Sequence, residues 1–168
     1  MSFSKINYGI IGAGHIGNFH TQQIQNIQQQ INLVGIYDID FERAKLIASK
    51  NQTIAFRTLS KLLEKCDAVS IATPADTHAN VALRALQAHC HTFIEKPLAT
   101  SVEECKKIIQ LSDEAGLMVQ VGHIERFNPT FTTFDAHNSE MPLFIESHRL
   151  TPFTNRGVDT NVILDLMI

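Results

Sequence analysis

Gly12-Ala13-Gly14-His15-Ile16-Gly17 decides how this chain is read. The six residues fit G-x-G-x-x-G, a pattern that says little alone. Here it directly follows the β-rich apolar run Ile6 to Ile11 and opens a helix, the context in which it implies a dinucleotide-binding turn. Gly12 allows the tight turn, Gly14 lets the backbone approach a pyrophosphate, and Gly17 lets the helix lie close on the strand. The helix start, with the N–H groups of His15 and Ile16, then offers free donors and a positive dipole end to phosphate. Asp38 ends the next apolar strand, 21 residues beyond Gly17. A carboxylate there accepts hydrogen bonds from ribose hydroxyls and repels a 2′-phosphate, which favours NAD over NADP. Arg43, close in sequence, is the residue that could accommodate such a phosphate instead. Two competing readings are a glycine turn with no ligand and the turn of an S-adenosylmethionine-dependent methyltransferase. Strand, helix and acid together favour the dinucleotide.

Outward from the turn, apolar strands and helices alternate. Strands are expected over Ile6 to Ile11, Leu33 to Tyr37, Ile54 to Phe56, Ala68 to Ala72, Thr92 to Ile94 and Met118 to Val121. Helices are expected over Asn18 to Gln30, Phe41 to Ser49, Leu59 to Lys65, Asp76 to Ala88 and Val102 to Ala115. Continuous apolar strands interleaved with helices imply an α/β fold, a doubly wound parallel sheet covered on both faces. After Ile124 the composition shifts. The stretch Arg126 to Pro142 shows little alternation of strand and helix, and Leu143 to Leu150 reads as a new strand. This divides the chain into a nucleotide-binding domain over 1–123 and the beginning of a second α/β domain over 124–168. The final stretch, Val162 to Ile168, is strongly apolar and uncapped, so the sequence is expected to be the N-terminal part of a longer protein.

The 168 residues suffice for one core of ordinary domain size. Hydrophobic residues make up 44% and charged residues 18%, an ordinary globular balance. A net charge of −3 argues against a general nucleic-acid or membrane surface. No apolar run approaches the roughly 20 residues that span a bilayer. The start lacks the apolar core of a signal peptide, which points to a cytoplasmic protein. Cys66, Cys90 and Cys105 form neither a zinc pattern nor a disulfide framework and read as buried or neutral thiols; no metal is expected.

Three further groups stand where strands end, the place at which open α/β sheets bind ligands. Thr73 and Pro74 follow one strand, with Asp76 or Thr77 as candidate caps and His78 in the first turn of the next helix. Glu95-Lys96-Pro97 follows another; Pro97 holds the backbone, Glu95 is a candidate for a ribose hydroxyl, and Lys96 for acid–base work. Val121-Gly122-His123 with Arg126 and Asn128 follows the last, where Gly122 can admit a ligand closely. On residue type alone, a packed imidazole, an exposed Glu–Lys pair and plain linker chemistry are the competing readings.

Taken in order, Gly12 to Gly17 with His20, Asp38, Thr73-Pro74 with His78, Glu95-Lys96-Pro97-Leu98-Ala99, and Val121-Gly122-His123 with Arg126-Phe127-Asn128-Pro129 resemble the Gfo/Idh/MocA family. That resemblance implies a Rossmann domain joined to a second domain built on a large open sheet. It also implies an NAD(P)-dependent dehydrogenase acting on a hydroxyl carbon of a sugar or cyclitol, and assembly as a homo-oligomer through the second domain. By the same resemblance Thr73, Pro74, His78, Glu95, Lys96 and Arg126 join the cofactor-binding set. Lys96 holds or deprotonates the reacting hydroxyl, and Asp165 is the first of a catalytic Asp–His pair whose His would stand at position 169. The segments 121–129, 143–152 and 159–168 look most like UDP-N-acetylglucosamine 3-dehydrogenase-type members. Arg149 and Arg156 would then suit a diphosphate-bearing substrate, against a reading as surface arginines. Some relatives of this fold bind dinucleotide as regulators without catalysis, which is the alternative function.

Overall fold

A computed structural model describes residues 4–137 and the separate positions 143, 144, 146, 148 and 163. Its strands are β1 (Ile6–Ile11), β2 (Ile31–Tyr37), β3 (Ala55–Phe56), β4 (Ala68–Ile71), β5 (His91–Ile94) and β6 (Val119–Val121). Its helices are α1 (His15–Gln25), α2 (Phe41–Lys50), α3 (Leu59–Leu63), α4 (His78–Gln87), α5 (Val102–Ala115) and α6 (Pro129–His137).

The six strands form one parallel sheet in the order β3-β2-β1-β4-β5-β6. This is the Rossmann order. The chain winds outward one way from β1 and the other way from β4, so the β1–β4 junction opens a crevice at the carboxyl edge. Because every strand is parallel, helices must cross both faces and the central strands are buried on both sides. On one face Ile10, Ala13 and Ile36 pack with Ile24 of α1 and Ile47 and Ala48 of α2. On the other, Ile11, Val69, Ile71 and Ile94 meet Leu62 of α3, Ala82 and Leu86 of α4, and Ile108 of α5. Ile10, Ile11, Ile36, Ile71 and Ile94 are fully buried, each contributing about 1.5–3 kcal/mol of transfer free energy.

Local signals explain most boundaries. Asp40, Thr58 and Ser101 accept hydrogen bonds from first-turn N–H groups and so cap α2, α3 and α5. Gly116, at φ +65°, ends α5 in the left-handed conformation. Several expectations need correction. α1 begins at His15, not Asn18, because Gly14 is itself the capping position, and it stops at Gln25. The helix expected from Asp76 divides into a 3-10 turn, Ala75–Thr77, and α4 from His78. Neither Asp76 nor Thr77 caps α4; the Thr77 hydroxyl turns back to donate to the Pro74 carbonyl at 2.7 Å. The stretch after Arg126 is more regular than expected. A 3-10 turn, Ile124–Phe127, leads into α6, where Asn128 Oδ1 accepts from Thr130 N and Pro129 takes the first helical position.

Of the strand expected over 143–150, Leu143 lies in a bend and Phe144, Glu146 and His148 are irregular; the rest falls outside the described residues. Asp165, Arg149 and Arg156 also lie outside them. Among the described residues no helix is long and apolar enough to cross a membrane.

Candidate dinucleotide-binding site

Two of the three glycines of the turn are held by close approach of backbone, and the third faces open space. Gly12 sits at φ +101°, and a Cβ there would stand 2.4 Å from the Ala72 carbonyl oxygen, so β1 and the end of β4 approach too closely for any side chain. A Cβ on Gly17 would stand 1.8 Å from the Gly12 carbonyl oxygen, so this glycine sets how near α1 lies to β1. A Cβ on Gly14 meets nothing within 4 Å. Its space is open and faces the carboxyl edge. Gly14 caps α1 without a side-chain hydrogen bond, and the first turn holds no acid. The donors that begin α1 therefore stay available to an anion.

A cavity of about 670 Å³ opens above this turn, within the size range of small-molecule and cofactor sites. Gly12, Gly14, His15, Ile16, Asp38, Arg43, Thr73 and Pro74 all line it, bringing together eight of the sequence-expected residues. Asp38 is 8% exposed. Its Oδ2 accepts from Ala13 N at 2.6 Å and its Oδ1 from Asp40 N at 2.8 Å, which ties the second strand's acid to the glycine turn. The Arg43 guanidinium lies 3.9 Å from Asp38 and 3.5 Å from Asp40, turned toward both carboxylates. The opposite wall comes from α4 through Asn80, Val81 and Arg84, which the sequence reading missed. Their spacing of three and four residues puts them on one helical face, and that was the available signal.

A second group occupies the carboxyl ends of β5 and β6. The Glu95 carboxylate is mostly buried and accepts from His20 Nε2 at 2.8 Å. A Cβ on Gly122 would come within 3.2 Å of that carboxylate, so the glycine at the end of β6 makes room for Glu95. Lys96 follows, joined to Pro97 by a cis peptide bond. His20, matched by family resemblance but given no role, is thus a direct partner of Glu95.

His78 lies in the first turn of α4, as its position in the sequence implies, but away from the cavity. It is 1% exposed, does not line the cavity, and sets Nδ1 2.7 Å from the Pro97 carbonyl and Nε2 2.9 Å from the Thr73 carbonyl. It ties the β4 and β5 exit loops together from behind, because α4 begins under both. Arg126 is exposed in the 3-10 turn after β6 and is likewise absent from the cavity wall. Among the described residues no three His, Cys, Asp or Glu converge as a metal set.

The family model described as "Oxidoreductase family, NAD-binding Rossmann fold", Gfo/Idh/MocA, matches residues 6–123. The chain belongs to this family. Among its members, the UDP-N-acetylglucosamine 3-dehydrogenase of Acidithiobacillus ferrooxidans is 41% identical over 160 residues, covering 95% of this chain and 50% of that protein. A solved structure of that enzyme superimposes with a TM-score of 0.90 at 38% identity, over 98% of this chain and 54% of the other. An inositol 2-dehydrogenase of Acidothermus cellulolyticus is 32% identical over 131 residues, 76% of this chain and 38% of that protein. The chain thus spans half, or less, of the length of these curated relatives.

Proposed function

We propose that this chain supplies the cofactor half of an NAD-dependent dehydrogenase that oxidises a hydroxyl carbon of a sugar, in particular of a nucleotide sugar. One observation carries the reading: the uncapped start of α1, with open space at Gly14, faces a cavity whose side wall holds the buried Asp38. In this reading the α1 donors hold the pyrophosphate and Asp38 accepts from the adenosine ribose. Ile16, Thr73 and Pro74 line the path between them. The choice of NAD over NADP is supported by Asp38 and Asp40, whose paired carboxylates oppose a 2′-phosphate and already engage Arg43.

NAD, when bound, supplies the acceptor for the hydride. Lys96, at the exit of β5, holds the sugar hydroxyl and takes up its proton as the carbon is oxidised. Asp165 is assigned the second catalytic position. A domain division at residue 123 is supported by the end of the family match there. The exposed Ile124, Phe127 and Phe131 just beyond it also fit a stretch that packs against further chain. The nucleotide-sugar substrate is supported by the likeness to the Acidithiobacillus enzyme over nearly the whole chain.

The test takes the complete protein with NAD and a panel of UDP-N-acetylglucosamine, other nucleotide sugars and myo-inositol, followed by reduced-nicotinamide absorbance. Turnover should appear with UDP-N-acetylglucosamine. Lys96→Ala should abolish it while NAD binding stays within about threefold, less than the roughly tenfold effect of 1.4 kcal/mol. Undiminished turnover in that variant refutes the role of Lys96.

A further inference from the structure

Four polar side chains from four parts of the fold form one continuous chain of hydrogen bonds. Tyr8 of β1 meets Ser70 Oγ of β4 at 2.9 Å. Ser70 Oγ meets His20 Nδ1 of α1 at 3.0 Å. His20 Nε2 meets Glu95 Oε1, at the exit of β5, at 2.8 Å. The His20 ring also lies 5.4 Å from the Phe93 ring, tilted by 60°, which fixes its plane. Gly122 completes the arrangement by leaving room for the Glu95 carboxylate.

The direction of donation follows from what each group can do. A carboxylate accepts, so His20 Nε2 donates to Glu95. In the neutral ring Nδ1 then accepts, so Ser70 donates to it and takes the Tyr8 hydroxyl proton on its own oxygen. Burial pushes the Tyr8 phenol above its ordinary value, which keeps that donor protonated. The polar atoms of Tyr8, Ser70 and His20 are all used. Glu95 Oε2 has no hydrogen-bond partner among the described residues, and it stands next to Lys96.

A dinucleotide lies across the carboxyl edge with one mononucleotide on each side of the strand reversal. Asp38 belongs to the β1–β2 side, and the cavity runs from there to the exit of β4 and α4. Glu95 and Gly122 stand on the other side, where the nicotinamide nucleoside falls. We propose that His20 is the positioning residue of the nicotinamide half-site, orienting Glu95 through Nε2–H so that its second oxygen accepts from the nicotinamide-side ribose. This rests on the NAD reading above. It makes α1 a link between the two halves of the cofactor, since the helix that starts at the pyrophosphate turn also carries the residue that sets Glu95.

The experiment compares NADH, which occupies both halves, with ADP, which lacks the second ribose. Both are titrated calorimetrically into this chain, its His20→Leu variant and its His20→Gln variant. His20→Leu should weaken NADH by about tenfold, which is 1.4 kcal/mol, and leave ADP within about twofold. His20→Gln can donate to Glu95 and accept from Ser70, and should restore NADH to within about threefold of the parent. Nitrogen NMR of the neutral His20 ring should place its proton on Nε2. NADH binding unchanged in His20→Leu overturns the proposal. An equal loss of NADH and ADP overturns it too, since that would mean α1 packing and not Glu95 was disturbed. If the parent chain binds neither ligand, the NAD reading has failed and this inference falls with it; if it binds both and only the contrast is missing, the NAD reading stands and the inference alone is wrong.

Discussion

Gly14→Ala and Gly17→Ala, three positions apart in one turn, should fail in different ways. At Gly17 the added methyl would lie 1.8 Å from the Gly12 carbonyl oxygen and 2.9 Å from its carbon. The clashing partner is main chain at the tightest part of β1–α1, so no side-chain rotation relieves it and α1 must move off the sheet by more than 1 Å. Overpacking usually costs 1–3 kcal/mol, and a clash with backbone belongs at the upper end, about 3 kcal/mol. For a chain of 168 residues that is a fall in Tm of about 6–12 °C. At Gly14 the backbone is extended, with φ −74°, and the methyl meets nothing within 4 Å. Its stability effects oppose one another: Ala caps a helix less well than Gly, but it restricts the unfolded chain by about 0.4–1 kcal/mol. The net change in Tm should stay within about 3 °C. The same methyl fills the approach to the α1 donors, so NAD affinity should fall at least about tenfold. Thermal unfolding by circular dichroism and calorimetric titration of NAD measure the two effects separately. Equal Tm losses in the two variants would refute the packing argument, and full NAD affinity in Gly14→Ala would refute the placement of the pyrophosphate.

Asp38→Ala removes a buried acceptor of two backbone N–H groups. It should cost about 1.5–3 kcal/mol in denaturant unfolding and weaken NAD more than NADP, so competition between the two cofactors should show the preference narrowing. The buried thiols give a pH prediction. Burial, then the neighbouring Cys90 and Asp67, push the Cys66 thiol up to about 12, and burial, then Asp67, pushes Cys90 up to about 11. Both folded values lie above the ordinary value of 9.0, so their contribution to stability is fully present below pH 9. It is lost as the pH climbs toward 11–12, because the unfolded chain ionises first. Alkaline unfolding should therefore steepen above pH 9, and near pH 8 a thiol reagent should modify the half-buried Cys105 well before Cys66 or Cys90. Simultaneous modification of all three in the native protein would contradict this.

The fold was legible because it is written in local signals. Apolar strands of two to seven residues, the glycine turn and the side-chain caps at Asp40, Thr58 and Ser101 act over a few residues, so they read off the chain directly. The extended strand ends at Gly12, Thr73 and Glu95 pointed to the carboxyl edge for the same reason. Legibility was poorer where a local signal was short or shared. Asn128-Pro129 signals a helix start as clearly as Ser101 does, but the low hydrophobic contrast of Pro129–His137 hid it. The 3-10 turn before α4 is not distinguishable from helix in the sequence, because one turn of either has nearly the same spacing.

The sequence by itself determined the Rossmann architecture, the glycine turn and the acid that faces it, because each depends on residue type at fixed local spacing. Only the tertiary structure decided how those pieces divide their work. His78 carries the same residue type as His20, yet it lies 1% exposed between two carbonyls behind the cavity, while His20 bonds a carboxylate beside Lys96. The Asn80–Arg84 face of α4 became a cavity wall only once β4 and α4 were packed. The contacts of His20 with Ser70 and with Glu95 join residues 50 and 75 positions apart, and chain folding, not sequence spacing, brings them within hydrogen-bond reach.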